Sequence, residues 1–212
     1  MRKASHSVEG PRRVPQQERG TRRVAQLLEA ASETIAAAGY ENATMAQIAD
    51  RAGAPIGSLY QFFPNKRAVA HALRTSYVKD YEALLVRLES KASALGVDRL
   101  VAHLLAMTME FVQTHRAFLA LLDAPSSTRS PVALRNTLRA RLARCLVAMR
   151  PGIHHPRISN EKAIRLATVT LQMIKGLNQL YGEAKPAERR KIVLEYRSAI
   201  TSYLFARLGR AS

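Results

Sequence analysis

Apolar residues recur along this chain at three- and four-residue steps, which is the period of a helix face. Val24, Leu27, Leu28, Ala31 and Ile35 share one side of a first helix that starts near Thr21. Gly39 stands where a left-handed C-cap would end it. Thr44 with Gln47 three residues later has the form of a capping box, and Ile48, Ala49 and Ala52 make the short apolar stripe that follows. Gly53 interrupts that stripe at a tight turn. A third, very short helix is predicted from Pro55 or Ile56 to just before Pro64, and Asn65 is a cap for a fourth helix beginning at Lys66. Beyond it, Pro and Gly punctuate longer striped segments and predict helices over residues 66–92, 98–114, 116–123, 132–149, 160–182 and 187–208. Val, Ile and Thr rarely alternate with polar residues, so the fold class is expected to be all-α.

This pattern divides the chain into three. Residues 1–20 contain Gly, Pro, Ser and five Arg or Lys with little to bury, and are expected to form a flexible basic arm. Residues 21–66 hold three helices, the last two short and joined by a glycine turn, which is a helix-turn-helix candidate. Residues 67–212 form a larger helical part.

On a wheel of about 100° per residue, Leu59 and Phe63 lie on the inward face of the third helix, and Gly57 and Gln61 lie opposite. Ser58 with Phe62, and Ile56 with Tyr60, sit at the two edges. Gly57 permits close approach of another surface. Gln61 can pair bidentately with adenine in a major groove, and Ser58 can bond a base or a phosphate. Tyr60 at the edge offers a phenol to phosphate, and Lys66 adds positive charge beside it. Phe62 is expected to pack as a core or half-buried residue.

Composition narrows the partners. The chain has 212 residues, 47% of them hydrophobic, which is enough for a core. The formal net charge is +17, which points to a polyanionic partner. Residues 1–23 carry a net +5, residues 24–75 are neutral, and residues 76–212 carry +12. Arm residues such as Arg12, Arg13, Arg19, Arg22 and Arg23 could reach phosphates or a minor groove. In residues 129–165, nine Arg or Lys stand against the single acid Glu161. A solvated arginine-rich surface is the plainer reading of that excess, and an anionic effector the sharper one. The lone Cys145 excludes an intrachain disulfide, no apolar run approaches the roughly 18 residues of a membrane span, and no secretory signal opens the chain. A cytoplasmic protein is expected, with no membrane partner. No P-loop, GxGxxG or HExxH occurs, Cys145 has no motif around it, and His154-His155 lie in a Pro/Gly loop. No catalytic residue, metal site or cofactor is expected.

The segment GYENATMAQIADRAGAPIGSLYQFFPNKRAV, Gly39 to Val69, closely resembles the DNA-binding segment of the TetR family of bacterial transcriptional regulators, and the likeness extends back through RRVAQLLEAASETIAAAGY. The resemblance implies a homodimer in which each subunit has a three-helix DNA-binding head and a larger helical body for effector binding and dimerisation. By position it implies a phosphate contact for Thr44, base-facing places for Ile56, Gly57, Ser58 and Gln61, a phosphate contact for Tyr60, and the lysine at the start of the fourth helix for Lys66. Two positions depart from the family. Pro55 stands where Ser or Thr is frequent, which removes a side-chain cap but keeps a φ compatible with a helix start. Phe62 stands where Tyr or His is common. Helices near 160–182 and 187–208 have wide or double apolar stripes suited to a four-helix interface between two subunits. Tyr77, Tyr81, His103, Met107, Met109, Phe111, Phe118 and Cys145 on the middle helices could line a pocket or fill a core. The expected function is a sequence-specific regulator, a repressor released from its operator by an unidentified small-molecule effector. The alternative is a small-molecule-binding helical protein with only non-specific DNA binding.

Overall fold

The computed structural model of the chain describes residues 14–122, 132–149 and 158–208, and among these every regular element is a helix. The first, α1 (Val14–Asn42), begins within the segment expected to be a flexible arm, so residues 14–20 are helical; residues 1–13 lie outside the described residues. Gly39 has the positive φ expected of it, 77°, but its ψ of 162° is far from a left-handed helix. That backbone region is almost exclusive to glycine. It kinks the chain instead of stopping it, and one more turn runs to Asn42.

Helix α2 (Met45–Arg51) starts at a complete capping box. The Gln47 N–H donates to Thr44 Oγ1 at 3.2 Å, and the Thr44 N–H donates to Gln47 Oε1 at 2.9 Å. Gly53 then turns the chain at φ 57°. Helix α3 (Ile56–Phe62) follows with Pro55 as its uncapped N-cap, and Phe63 closes it by donating its N–H to Leu59 O at 2.9 Å. The three helices bury Leu27, Ala31, Ile35, Ile48, Ala49, Leu59 and Phe63 together.

Helix α4 (Lys66–Glu89) is capped as expected, with Asn65 Oδ1 accepting from the Ala68 N–H at 2.9 Å. Its 24 residues reach about 36 Å at about 1.5 Å each, so one rigid element belongs to both the head and the larger body. The body adds a short 3-10 turn (Ala92–Ala94) and five further helices: α5 (Val97–Thr114), α6 (Phe118–Leu122), α7 (Val132–Ala148), α8 (Asn160–Glu183) and α9 (Pro186–Leu208). Helix α4 packs on α7, α7 on α8 and α8 on α9, which returns to cover α5. The short α6 lies against α1, α4 and α8, where head and body meet.

Of the residues that could line a pocket, Tyr77, Tyr81, Phe111 and Phe118 form one edge-to-face cluster, with Tyr81 and Phe111 centroids 5.2 Å apart. The Tyr81 hydroxyl is within 2.7 Å of Thr108 Oγ1 across α4 and α5, and burial pushes its pKa up to about 12. Met107 and Met109 are half-buried, while His103 lies at the surface with its ring 2.8 Å from Arg99 O. Cys145 is fully buried against α4, and burial raises its thiol to about 11, so it stays protonated at neutral pH. The His154-His155 pair lies outside the described residues. Among the described residues no cluster of potential metal ligands occurs, and no helix is long and apolar enough to cross a membrane.

Replacing Gly53 by Ala forces a β-carbon into a left-handed residue with open space around it. The substitution is expected to lower folding stability by about 1–2 kcal/mol through backbone strain alone, read as a reduced denaturation midpoint at unchanged slope.

Candidate nucleic-acid interface

Helix α3 has two unlike sides. Leu59 is completely buried and Phe63 is 7% exposed, while Ile56 is 46% and Tyr60 48% exposed. Gly57 and Gln61 are exposed on the side away from Leu59, and Ser58 is half-buried at the edge. An added β-carbon at Gly57 meets nothing within 4 Å, so the protein's own packing does not require a glycine there. What it provides is an outer surface with no side chain in the way. Thr44 is exposed at the start of α2. Its oxygen accepts from the Gln47 N–H, a bond that leaves the hydroxyl its own proton to donate.

One expectation is corrected. Phe62 is 39% exposed and lies outside the buried core of the head. With Leu59 and Phe63 filling the inward face of a seven-residue helix, the intervening ring has only the outer flank. The Lys66 ammonium donates to Tyr40 O and to Glu41 O, both at 2.8 Å, and lies 4.7 Å from the centre of the Tyr40 ring. The last turn of α1 leaves carbonyls unbonded, and this lysine satisfies two of them. It therefore fixes the start of α4 to the end of α1 instead of standing free beside α3. Burial of the Tyr40 ring raises its hydroxyl pKa. Of the basic residues expected to help, Arg19 and Arg22 are exposed on α1 and Arg23 is half-buried, while Arg12 and Arg13 lie outside the described residues.

Contacts that no local pattern announced join this head to the body. Ser32 Oγ on α1 is 2.8 Å from Tyr77 Oη on α4. Within the body, the half-buried Arg74 on α4 donates to Leu121 O on α6, the helix that itself lies against α1. The head is thus held at both ends of one stretch of α4.

The family model described as bacterial regulatory proteins, tetR family, matches residues 27–73, and a second, described as tetracyclin repressor-like, C-terminal domain, matches residues 94–204. The chain belongs to the TetR family. It is a DNA-binding transcriptional regulator, of a family of regulators and not of enzymes. TetR-family regulators bind DNA operators and small molecules and act as dimers. Among solved structures, a TetR-family transcriptional regulator from Streptomyces coelicolor is 24% identical over 88% of this chain and 99% of its own, with a TM-score of 0.62. A TetR-family regulator from Mesorhizobium loti is 15% identical over 89% of this chain and 98% of its own, with a TM-score of 0.65. The transcriptional regulator FadR from Bacillus subtilis, solved in complex with stearoyl-CoA, is 16% identical over 85% of this chain and 96% of its own, with a TM-score of 0.54. At these identities the likeness is one of fold. No curated protein matches the chain.

Replacing Lys66 by Met keeps the stem and removes both bonds to the α1 carbonyls. The expected result is a stability loss of about 1–2 kcal/mol. The salt dependence of DNA binding is expected to stay unchanged, whereas loss of a phosphate contact would lower its slope by about 0.9.

Proposed function

We propose that this TetR-family regulator is a dimeric repressor whose two α3 helices enter successive major grooves of a near-palindromic operator. The observation that carries this reading is the exposed outer side of α3 above a fully buried Leu59. Gly57 allows the helix to approach base edges, Gln61 and Ser58 supply donors and acceptors to them, and Ile56 offers an apolar contact. Thr44 and Tyr60 bond phosphates and set register. Pro55 brings no hydroxyl and holds the chain at the helix entrance. Lys66 acts from behind, by holding α4 to α1. The protein acts in the cytoplasm, where operator DNA is accessible.

The proposed division is a head over residues 21–66 and an effector-binding and dimerisation body over residues 67–212. Helices α8 and α9 are the proposed dimer contact. Val169 and Leu180 lie three turns apart on one side of α8 and are 40% and 45% exposed, as an unpaired apolar strip would be. A small-molecule effector in the body shifts α4 and changes the separation of the two heads, so that both half-sites can no longer be met. Buried polar atoms in the body support such a ligand. Thr170 Oγ1 and Asn178 Oδ1 on α8 have no hydrogen-bond partner although their residues are 1% and 4% exposed, and groups of this kind ordinarily find one.

Selection of bound fragments from random DNA at physiological salt tests the reading. A palindromic consensus is expected. Enrichment without any consensus would leave only non-specific binding. On the selected operator, Gln61→Ala is expected to relax preference at one base pair per half-site by about 1–3 kcal/mol. Gly57→Ala should abolish tight binding with the fold intact, and Tyr60→Phe should weaken all sequences alike.

Thr170→Val removes an unpaired buried hydroxyl at constant shape. It is expected to stabilise the free protein by about 1 kcal/mol, a rise of about 2–4 °C in Tm, which thermal unfolding would register.

A further inference from the structure

A basic cleft of about 550 Å3 lies at the junction of head and body. Three arginines from three separate places line it: Arg51 at the end of α2, Arg116 in the turn between α5 and α6, and Arg189 on α9. One carboxylate, Glu33 on α1, faces them, which leaves the cleft at +2 by formal charge (three cations less one anion). The Tyr181 ring and Leu119 contribute an apolar side.

The arginines are not used up. Arg51 pairs with Glu33 at 3.1 Å, but both side chains are about half exposed, and such pairs hold weakly. Arg189 donates one N–H to Ala184 O at 3.3 Å and stacks 4.8 Å from the Tyr181 ring centre, with its remaining donors uncommitted by either contact. Arg116 makes no ion pair among the described residues and is exposed.

We propose that this cleft binds a small molecule bearing two or more phosphates on an apolar or aromatic body, with a nucleoside diphosphate as the simplest example. Guanidinium groups match phosphate oxygens bidentately. Three of them reaching in from different elements favour a polyanion with more acceptor oxygens than the two of a single carboxylate. The apolar side by Leu119 then takes the remainder of the molecule, and the volume suits a ligand of that size. Glu33 and Arg51 belong to the head, whereas Arg116, Leu119, Tyr181 and Arg189 belong to the body. A ligand that draws the two sets together fixes the angle of the head, so its affinity and that of the operator are linked reciprocally. That consequence rests on the repressor reading; binding in the cleft does not.

Calorimetric titration of the full chain without DNA, at constant ionic strength, separates the two. ADP is expected to bind, pyrophosphate to bind more weakly, and adenosine not at all. Arg116→Gln and Arg189→Gln should each weaken ADP by about tenfold, and Glu33→Gln should tighten it. Arg87→Gln, on the exposed last turn of α4 and outside the cleft, should change nothing. Binding of adenosine as tight as that of ADP, absence of ADP binding at millimolar concentration, or equal weakening by Arg87→Gln would each overturn the proposal. Operator binding would survive any of these results.

Discussion

A seven-residue helix does not hold itself together in water, because isolated helices shorter than about 12–15 residues are marginal. This protein places its outward-facing chemistry on two helices of that length, α2 and α3. Their existence depends on Ile48, Leu59 and Phe63 being buried in one core with Leu27, Ala31 and Ile35 of α1. Everything else in the head follows from that burial. The Thr44–Gln47 box and the Asn65 cap satisfy the exposed helix starts, and Gly53 lets the two short helices meet over the same apolar floor. The outer side of α3 is then presented to solvent, because Leu59 and Phe63 hold the inner side in the core.

The same economy of contacts sets how the head is carried. Helix α4 runs without interruption from the end of α3 into the body core, where Tyr77 and Tyr81 join the aromatic cluster around Phe111. Lys66 ties the first residue of α4 to the last carbonyls of α1, Ser32 meets Tyr77 about three turns further on, and Arg74 reaches across to α6. A shift of α4 or α6 therefore reaches α1 through polar contacts as well as through packing. Such elements transmit a change only if they have two discrete arrangements, and a head held by a few bonds over a half-buried seam is suited to that.

Positive charge is distributed differently from what its sum suggests. The head from residue 24 onward is neutral, and the body holds most of the excess. Part of that excess is internally balanced: Arg141 pairs with Glu82 and Glu89, and Arg144 with Glu89, at 2.8 to 3.4 Å across α4 and α7. These pairs are partly exposed and contribute modestly to stability, but they remove two of the arginines on α7 from any general attraction for anions. The cleft below the head keeps its charge because three arginines there face one acid.

The elements themselves were legible in the sequence. Both side-chain caps, the glycine turn and the inward pair Leu59 and Phe63 follow from bonds and periodicities confined to three or four residues, and apart from the start of α1 the helices appear within a few residues of their expected ends. The outward places of Gly57, Gln61 and Tyr60 follow from the same wheel. Phe62 did not, because a ring on the edge of a short helix is buried or bare according to what lies beside it. The start of α1 at Val14 was hidden by a composition with little to bury. The target of the Lys66 ammonium lies 25 and 26 residues away, and the partner of Ser32 lies 45 away. The arginines of the cleft come from α2, the α5–α6 turn and α9. Local order was thus written in the chain by short-range hydrogen bonding and the helical period, whereas which charge meets which carbonyl, and which cations share a cleft, were decided only when distant helices packed into contact.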